Sequence, residues 1–295
     1  MTQLTILTPT WNRRPLLSRL VASLTAQDVP PGSFAWLVVD DGSTDGTADY
    51  VRDLEECAPF PVKLIVRENG GKHRALNTGV PWLTTPWVLV LDSDDWIVPG
   101  GLGNALGEIA AADGQPGISA IVSPRVFGDR PRPRYPAHAG PMDYATWRST
   151  YFKSDFSMLV RTDAMRATPF PEFDGENFIA ESAVYARAFA TGGIRLSNAE
   201  IMGAEYQKAG LSAKMRANRV SCPLGAMHTY RCQLDAGMRG RQRVRSWMNY
   251  HRFRCHARQR GVLSRSDPAA GGLVWRPAGW ILFALDRMAA RSRKS

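Results

Sequence analysis

Four short apolar runs, each followed by a polar loop and then by a segment of helical spacing, constrain this chain more than any other feature. The first run holds Leu4, Ile6 and Leu7, and the others are residues 36–39, 62–66 and 88–91. Unbroken apolar runs of this length suit strands buried on both faces. Between them Leu16, Leu17, Leu20, Val21 and Leu24 recur at helical spacing, as do Tyr50, Val51 and Leu54, and residues 72–80 also read as a helix. Asn12 is the expected N-cap of the first helix, with Pro15 in its first turn. Such alternation predicts βαβ units: an α/β fold with a mainly parallel central sheet flanked by helices. Right-handed crossovers then collect the loops after the strands along one sheet edge. Residues 8–12, 40–45, 72–77 and 92–95 are therefore expected around one crevice.

Past Trp96 the pattern loosens. Residues 101–112 read as a helix, 118–122 and 156–161 as strands, 125–141 as a long Pro- and Arg-rich loop, and 179–187 as a helix. Ala278 to Leu285 is the longest apolar run near the C-terminus, too short to span a bilayer. The N-terminus carries no basic segment of the kind that opens a signal peptide. Four cysteines without CxxC spacing fit reduced thiols, so a cytoplasmic protein is expected. Cys222, His228, Cys232, Cys255 and His256 match no usual zinc spacing.

The net charge of +10 is unevenly spread. Residues 208–295 hold 19 Lys and Arg against 3 Asp and Glu, whereas the rest of the chain is net acidic. The basic end suggests an anionic partner. Trp280, Ile281, Ala284, Leu285 and Met288 share one helical face, with Arg287, Arg291, Arg293 and Lys294 beyond. That pattern fits either an interfacial helix with a cationic end or a core-packing helix with solvated arginines. Peripheral contact with the inner face of the cell membrane is one expectation. Nucleic acid is not expected, since no recognition module is present.

The chemistry concentrates where the fourth run ends, in Asp92, Ser93, Asp94 and Asp95. Carboxylates this close repel and resist burial unless a cation neutralises them. A divalent metal carrying a phosphorylated substrate would do so, and an acidic turn is the plain alternative. Neither GxGxxG nor GxxxxGK[ST] follows the first run, so phosphate must be held in another way.

Four segments together settle the comparison: Thr8-Pro-Thr-Trp-Asn-Arg13, Val38-Val-Asp-Asp-Gly-Ser-Thr-Asp-Gly46, Asn69-Gly-Gly-Lys-His-Arg-Ala-Leu-Asn77 and Leu91-Asp-Ser-Asp-Asp95. In order and spacing the chain resembles the family 2 glycosyltransferases of GT-A fold, strongly over about a hundred residues and more weakly to about Leu211. The resemblance implies an inverting, metal-dependent transferase that uses a nucleotide-sugar, expected to be UDP-linked. Asp40 would accept from a base N–H, while Thr8 and Asp41 shape the nucleoside pocket. Asp92 and Asp94 would serve the ribose and a Mg2+ or Mn2+ ion, with Ser93 between them. Lys72 and Arg74 could meet the diphosphate or pocket wall, and for both, as for His73, a surface role is the alternative to direct contact.

The family's base lies in an acidic pair opening a helix, and here only Glu181 stands at that place. Glu181 is the expected general base, with Glu176 and Asp174 as alternatives, and a cap or ion pair as their structural reading. The implied acceptor is a glycan or lipid-linked glycan, in surface polysaccharide or glycolipid synthesis. Three regions are expected: 1–96 for the nucleotide-sugar, 97–215 for the acceptor, and 216–295 as a basic helical extension. A nucleotidyltransferase, or a silent sugar- or phosphate-binding protein on the same fold, remains the alternative.

Overall fold

The computed structural model describes residues 2–128, 130–136, 141–152, 155–189, 192–205, 215–264, 266 and 271–291. Two units emerge: Met1–Pro169 with Ala188–Tyr206, and Phe170–Arg187 with Gln207–Ser295. Residues 170–187, within the expected 97–215 region, cluster with the C-terminal segment.

In the first unit the four apolar runs become β1 (Leu4–Thr10), β2 (Phe34–Asp40), β3 (Val62–Val66) and β4 (Trp87–Val90). Short β5 (Trp96–Ile97) follows, then β6 (Ile118–Pro124), β7 (Phe156–Arg161), β8 (Gly193–Leu196) and β9 (Met202–Gly203). Seven strands form one sheet in the order β3-β2-β1-β4-β7-β6-β8, and β5 pairs with β9. All neighbours in the main sheet are parallel except those of β7. Helices α1 (Arg14–Thr25), α2 (Thr47–Cys57), α3 (Lys72–Gly79) and α4 (Gly101–Asp113) connect the early strands. The core joins Leu4, Ile6, Trp36, Val38 and Leu89 of the sheet to Leu17, Leu20 and Leu24 of α1 and Leu102, Ala105 and Ile109 of α4. Helices α5 (Tyr144–Thr150) and α6 (Thr162–Arg166) are short. Trp147 of α5 is buried in an aromatic cluster with Phe156 and Phe189, a core role.

The second unit holds α7 (Ser182–Ala188) up to Arg187, α8 (Met215–Ser221), α9 (Pro223–Asp235), α10 (Gly240–Gln259) and α11 (Arg276–Arg291). Ala226, Tyr230 and Leu234 of α9 meet Trp247, Tyr250 and Phe253 of α10 in a separate core.

Three local expectations change. Asn12 is not the N-cap of α1: Arg13 occupies that position without a side-chain bond, and Asn12 has φ +51°. The cap comes instead from Asp45, whose carboxylate accepts from Arg14 N–H at 3.0 Å. His73 is buried, not at the surface. The expected 179–187 helix starts at Ser182, after a turn at Glu181. Leu211, Arg293 and Lys294 lie outside the described residues, as does the side chain of Arg291.

Candidate active site

Strand order fixes where a site can lie. From β1 the chain adds β2 and β3 on one side and β4 on the other, so the connections reverse direction between β1 and β4. At such a switch the loops leaving the carboxyl ends part and open a crevice. Register puts Thr10 beside Asp40 and Leu7 beside Val90. The acidic segment 92–95 therefore leaves β4 at the level where β1 and β2 end.

Side-chain bonds tie the four loops together. Asn12 N–H donates to Ser43 Oγ at 2.8 Å, and Asn12 Oδ1 accepts from Thr44 N–H at 2.8 Å. Asp41 gathers the third loop: its carboxylate accepts from Arg67 and from the N–H groups of Gly70 (3.1 Å) and Gly71 (2.7 Å). Gly42 makes that approach possible. At φ +77° it occupies the left-handed region, and a Cβ there would stand 2.9 Å from Asn69 N. Lys72, at the start of α3, then reaches the fourth loop, its Nζ 2.5 Å from Asp92 Oδ1.

Asp40 is fully buried. Its Oδ1 accepts from the backbone N–H of Ser43 at 3.1 Å and from the Ser43 hydroxyl. Its Oδ2 has no partner among the described residues. Burial pushes the carboxyl above its usual range, against the two Ser43 donors, which lower it. An orphaned buried acceptor is costly unless a ligand supplies a donor. Thr10 Oγ1 next to it is likewise buried without a partner. Thr8 is buried too, and its hydroxyl accepts from the Trp36 indole N–H at 2.9 Å. Thr8 and Asp41 are thus engaged by the protein itself.

The three acids after β4 differ. Burial would raise Asp92, but Lys72, then Arg125 and Arg13, outweigh it and hold Asp92 below the usual carboxylate range. Asp95 is more deeply buried, with Arg125 3.1 Å from its Oδ2. Burial, helped by the charges of Asp92 and Asp94, lifts it to about 7 despite Arg125. Asp94 is partly exposed, and its backbone carbonyl accepts from Arg19 at 2.7 Å. Arg19 stacks on Trp96 at 4.3 Å and pairs with Glu205 at 2.9 Å. Ser93, between Asp92 and Asp94 in the sequence, is buried. Arg74 bonds back to the Gly70 carbonyl at 3.5 Å. Among the described residues no three His, Cys, Asp or Glu side chains form a metal cage. Asp92 and Asp94 offer hard oxygens that suit a cation completing its shell with phosphate and water.

The acid candidates of the second unit separate clearly. Glu176 is buried, and its two oxygens accept from Leu224 N–H (2.8 Å) and Gly225 N–H (2.7 Å), capping α9. Burial raises it, while those two bonds lower it. Asp174 is exposed. Glu181 is partly exposed and accepts from the Tyr185 hydroxyl at 3.3 Å.

Sequence reasoning missed Asn12, Ser43 and Asp45 as a connected group, though they sit in the quoted motifs. It missed Arg125 and Arg19 because nothing local marks a cation that acts only through the fold.

A mainly parallel sheet with a buried carboxylate and an acidic strand end at its carboxyl edge fits the GT-A class of glycosyltransferase. The family model for Glycosyl transferase family 2 matches residues 5–168, and the chain belongs to that family. Poly(ribitol-phosphate) beta-N-acetylglucosaminyltransferase TarS of Staphylococcus aureus is 32% identical over 97 residues, 33% of this chain and 17% of that protein. Validoxylamine A glucosyltransferase of Streptomyces hygroscopicus subsp. limoneus is 32% identical over 135 residues, 45% of this chain and 28% of the relative. The chain therefore spans well under two thirds of these curated relatives. The TarS 1–349 structure with UDP-GlcNAc superposes with TM-score 0.65 at 18% identity, over 88% of this chain and 73% of that one. The Pyrobaculum calidifontis mannosyltransferase PcManGT, solved with GDP-Man and Mn2+, gives 0.58 at 20% identity, over 98% and 80%. These likenesses support the GT-A fold.

Proposed function

We propose that this chain transfers a sugar, with inversion, from a UDP-sugar to a glycan or lipid-linked acceptor in surface polysaccharide or glycolipid synthesis. The observation that carries the reading is Asp40 Oδ2, a buried acceptor without a partner among the described residues, tied through one bonded loop network to Asp92 and Asp94. Uracil presents an N–H to such an acceptor. Ser43 fixes Asp40 so that Oδ2 is the atom left for the base. Lys72 balances Asp92, and Arg125 balances Asp95.

Asp92 and Asp94 are the residues that would hold Mg2+ or Mn2+. When bound, the cation supplies charge neutralisation for the diphosphate as it leaves. Solved neighbours that contain UDP-GlcNAc, or GDP-Man with Mn2+, support this donor chemistry. Glu181 is the proposed general base, taking the acceptor hydroxyl proton as oxygen attacks the anomeric carbon. It is favoured over Glu176, whose oxygens already hold the start of α9.

The experiment is a thermal-shift screen of nucleotide-sugars with Mn2+, followed by hydrolysis or transfer assays of the best binder. Stabilisation by a UDP-sugar that needs the metal, and activity lost in Asp94→Ala, are the expected results. UDP binding indifferent to divalent metal would overturn the metal assignment. Binding without turnover in any acceptor mixture would favour a silent sugar-binding protein.

A further inference from the structure

We propose that α11 and the cationic groove beside it dock this protein onto an anionic membrane surface. The inference does not depend on the identity of the sugar donor.

The helix has two unlike faces. One packs on α10. A Cβ added at Gly279 would stand 2.5 Å from His251 Cβ and 2.9 Å from Arg252 N, so the two backbones meet closely there. On the same side Asp286 is buried and bonds Arg216 of α8 and Arg252 and His256 of α10. These contacts fix how α11 is rotated about its own axis. The other face, with the turn before it, shows Leu273, Val274, Trp280, Ile281, Leu285 and Met288, exposed by between 47% and 78%. Six of the ten exposed large apolar side chains among the described residues fall in this one stretch. Scattered singly they would mean little, but gathered on one face they mark a contact surface.

Charge says what covers it. At its N-terminal end α10 presents Arg241, Arg243 and Arg245 to solvent, with Arg239 just before. None of the four takes part in an ion pair among the described residues. Arg241, Val244, Arg245, Met248 and Asn249 line a groove of about 370 Å3 with Leu282 of α11. The groove and the apolar stripe thus share α11, with Leu282 beside Ile281 in the chain. That combination suits a helix lying in a headgroup layer, its apolar side sunk and its arginines on lipid phosphates. A second copy would bring the same unbalanced cations against these. Nucleic acid would leave Ile281, Leu285 and Met288 without a use. No helix among the described residues is long and apolar enough to cross a membrane, so the contact lies along the surface.

Flotation of the full chain with vesicles tests this. It should bind phosphatidylglycerol–phosphatidylcholine vesicles, release them as salt rises, and ignore pure phosphatidylcholine. Ile281→Ser with Met288→Ser, and separately Arg241→Glu with Arg245→Glu, should each lower partitioning by about tenfold or more. All four side chains are solvent-facing or partly so, and unchanged circular dichroism and UDP binding would show that the fold and crevice persist. Brominated lipid should quench wild type more than Trp280→Phe. Three results would overturn the proposal: no binding to anionic vesicles at low salt, binding untouched by both double variants, or a self-association that Ile281→Ser with Met288→Ser dissolves. Binding of an RNA oligonucleotide lost only in the arginine variant, without vesicle binding, would reassign the groove.

Discussion

Asp40→Asn keeps the side chain's shape and changes what it offers. In the wild type the Ser43 N–H and hydroxyl both point at Oδ1, so that position must remain an oxygen. The new amide nitrogen is thereby forced into the place of Oδ2, the atom with no partner. A uracil N–H would then face a donor in place of a charged acceptor. Losing a hydrogen bond to a charged group costs about 1.5–3 kcal/mol, and two opposed buried donors add to it. A total of about 2–4 kcal/mol corresponds to a rise in UDP Kd of about 30- to 1,000-fold. Cytosine carries an acceptor at the matching ring nitrogen, so the same substitution should lose less affinity for CDP, or gain some. Isothermal titration of UDP and CDP, with Mn2+ present, reads both numbers. UDP affinity within about threefold of wild type, or an equal loss for both nucleotides, would refute the reasoning, because either result means Oδ2 does not face the base.

Two further outcomes are expected. Glu181→Gln should lower kcat by about a hundredfold or more while leaving UDP affinity unchanged, and the same kinetic loss in Asp174→Asn instead would move the base to Asp174. Asp286→Asn should destabilise the folded chain: burial would raise Asp286, but its bonds from Arg252, His256 and Arg216 hold it at about 2 against an ordinary 3.8. That depression is worth about 2–3 kcal/mol near neutral pH. A depressed carboxyl stabilises above its unfolded pKa and loses that contribution as pH falls through the folded one. The gap between wild type and variant in urea unfolding should therefore close between about pH 4 and pH 2, and a gap independent of pH there would refute the ion cluster.

Much of the fold was legible because its signals are local. Runs such as residues 36–39 and 88–91 are apolar throughout, as strands covered on both faces must be, and the helices between them carry their own spacing. Short β5, β8 and β9 had no such signal, since two to four residues hold no period. The site was legible by type and place: Asp40, Asp92 and Asp94 follow strands, and parallel topology brings such loops together. What each acid does was not. Asp41 and Asp40 are neighbours in sequence, yet one is saturated by Arg67, Gly70 and Gly71 while the other keeps an open oxygen. Glu176 looked like the cap of the helix just after it and caps one that begins 47 residues later. Asn12 looked like a cap and is a bridge, with Asp45 capping in its stead.

The sequence by itself determined the strand–helix alternation, the sheet edge where carboxylates collect, and the amphipathic stripe of residues 280–288. Tertiary structure alone decided which carboxylate oxygens remain open and which face of α11 meets water. The physical reason is common to both: a hydrogen bond or an ion pair is satisfied by whatever the fold brings within about 3 Å, and Arg125, Ser43 and Arg252 reach their carboxylates only once the chain has folded.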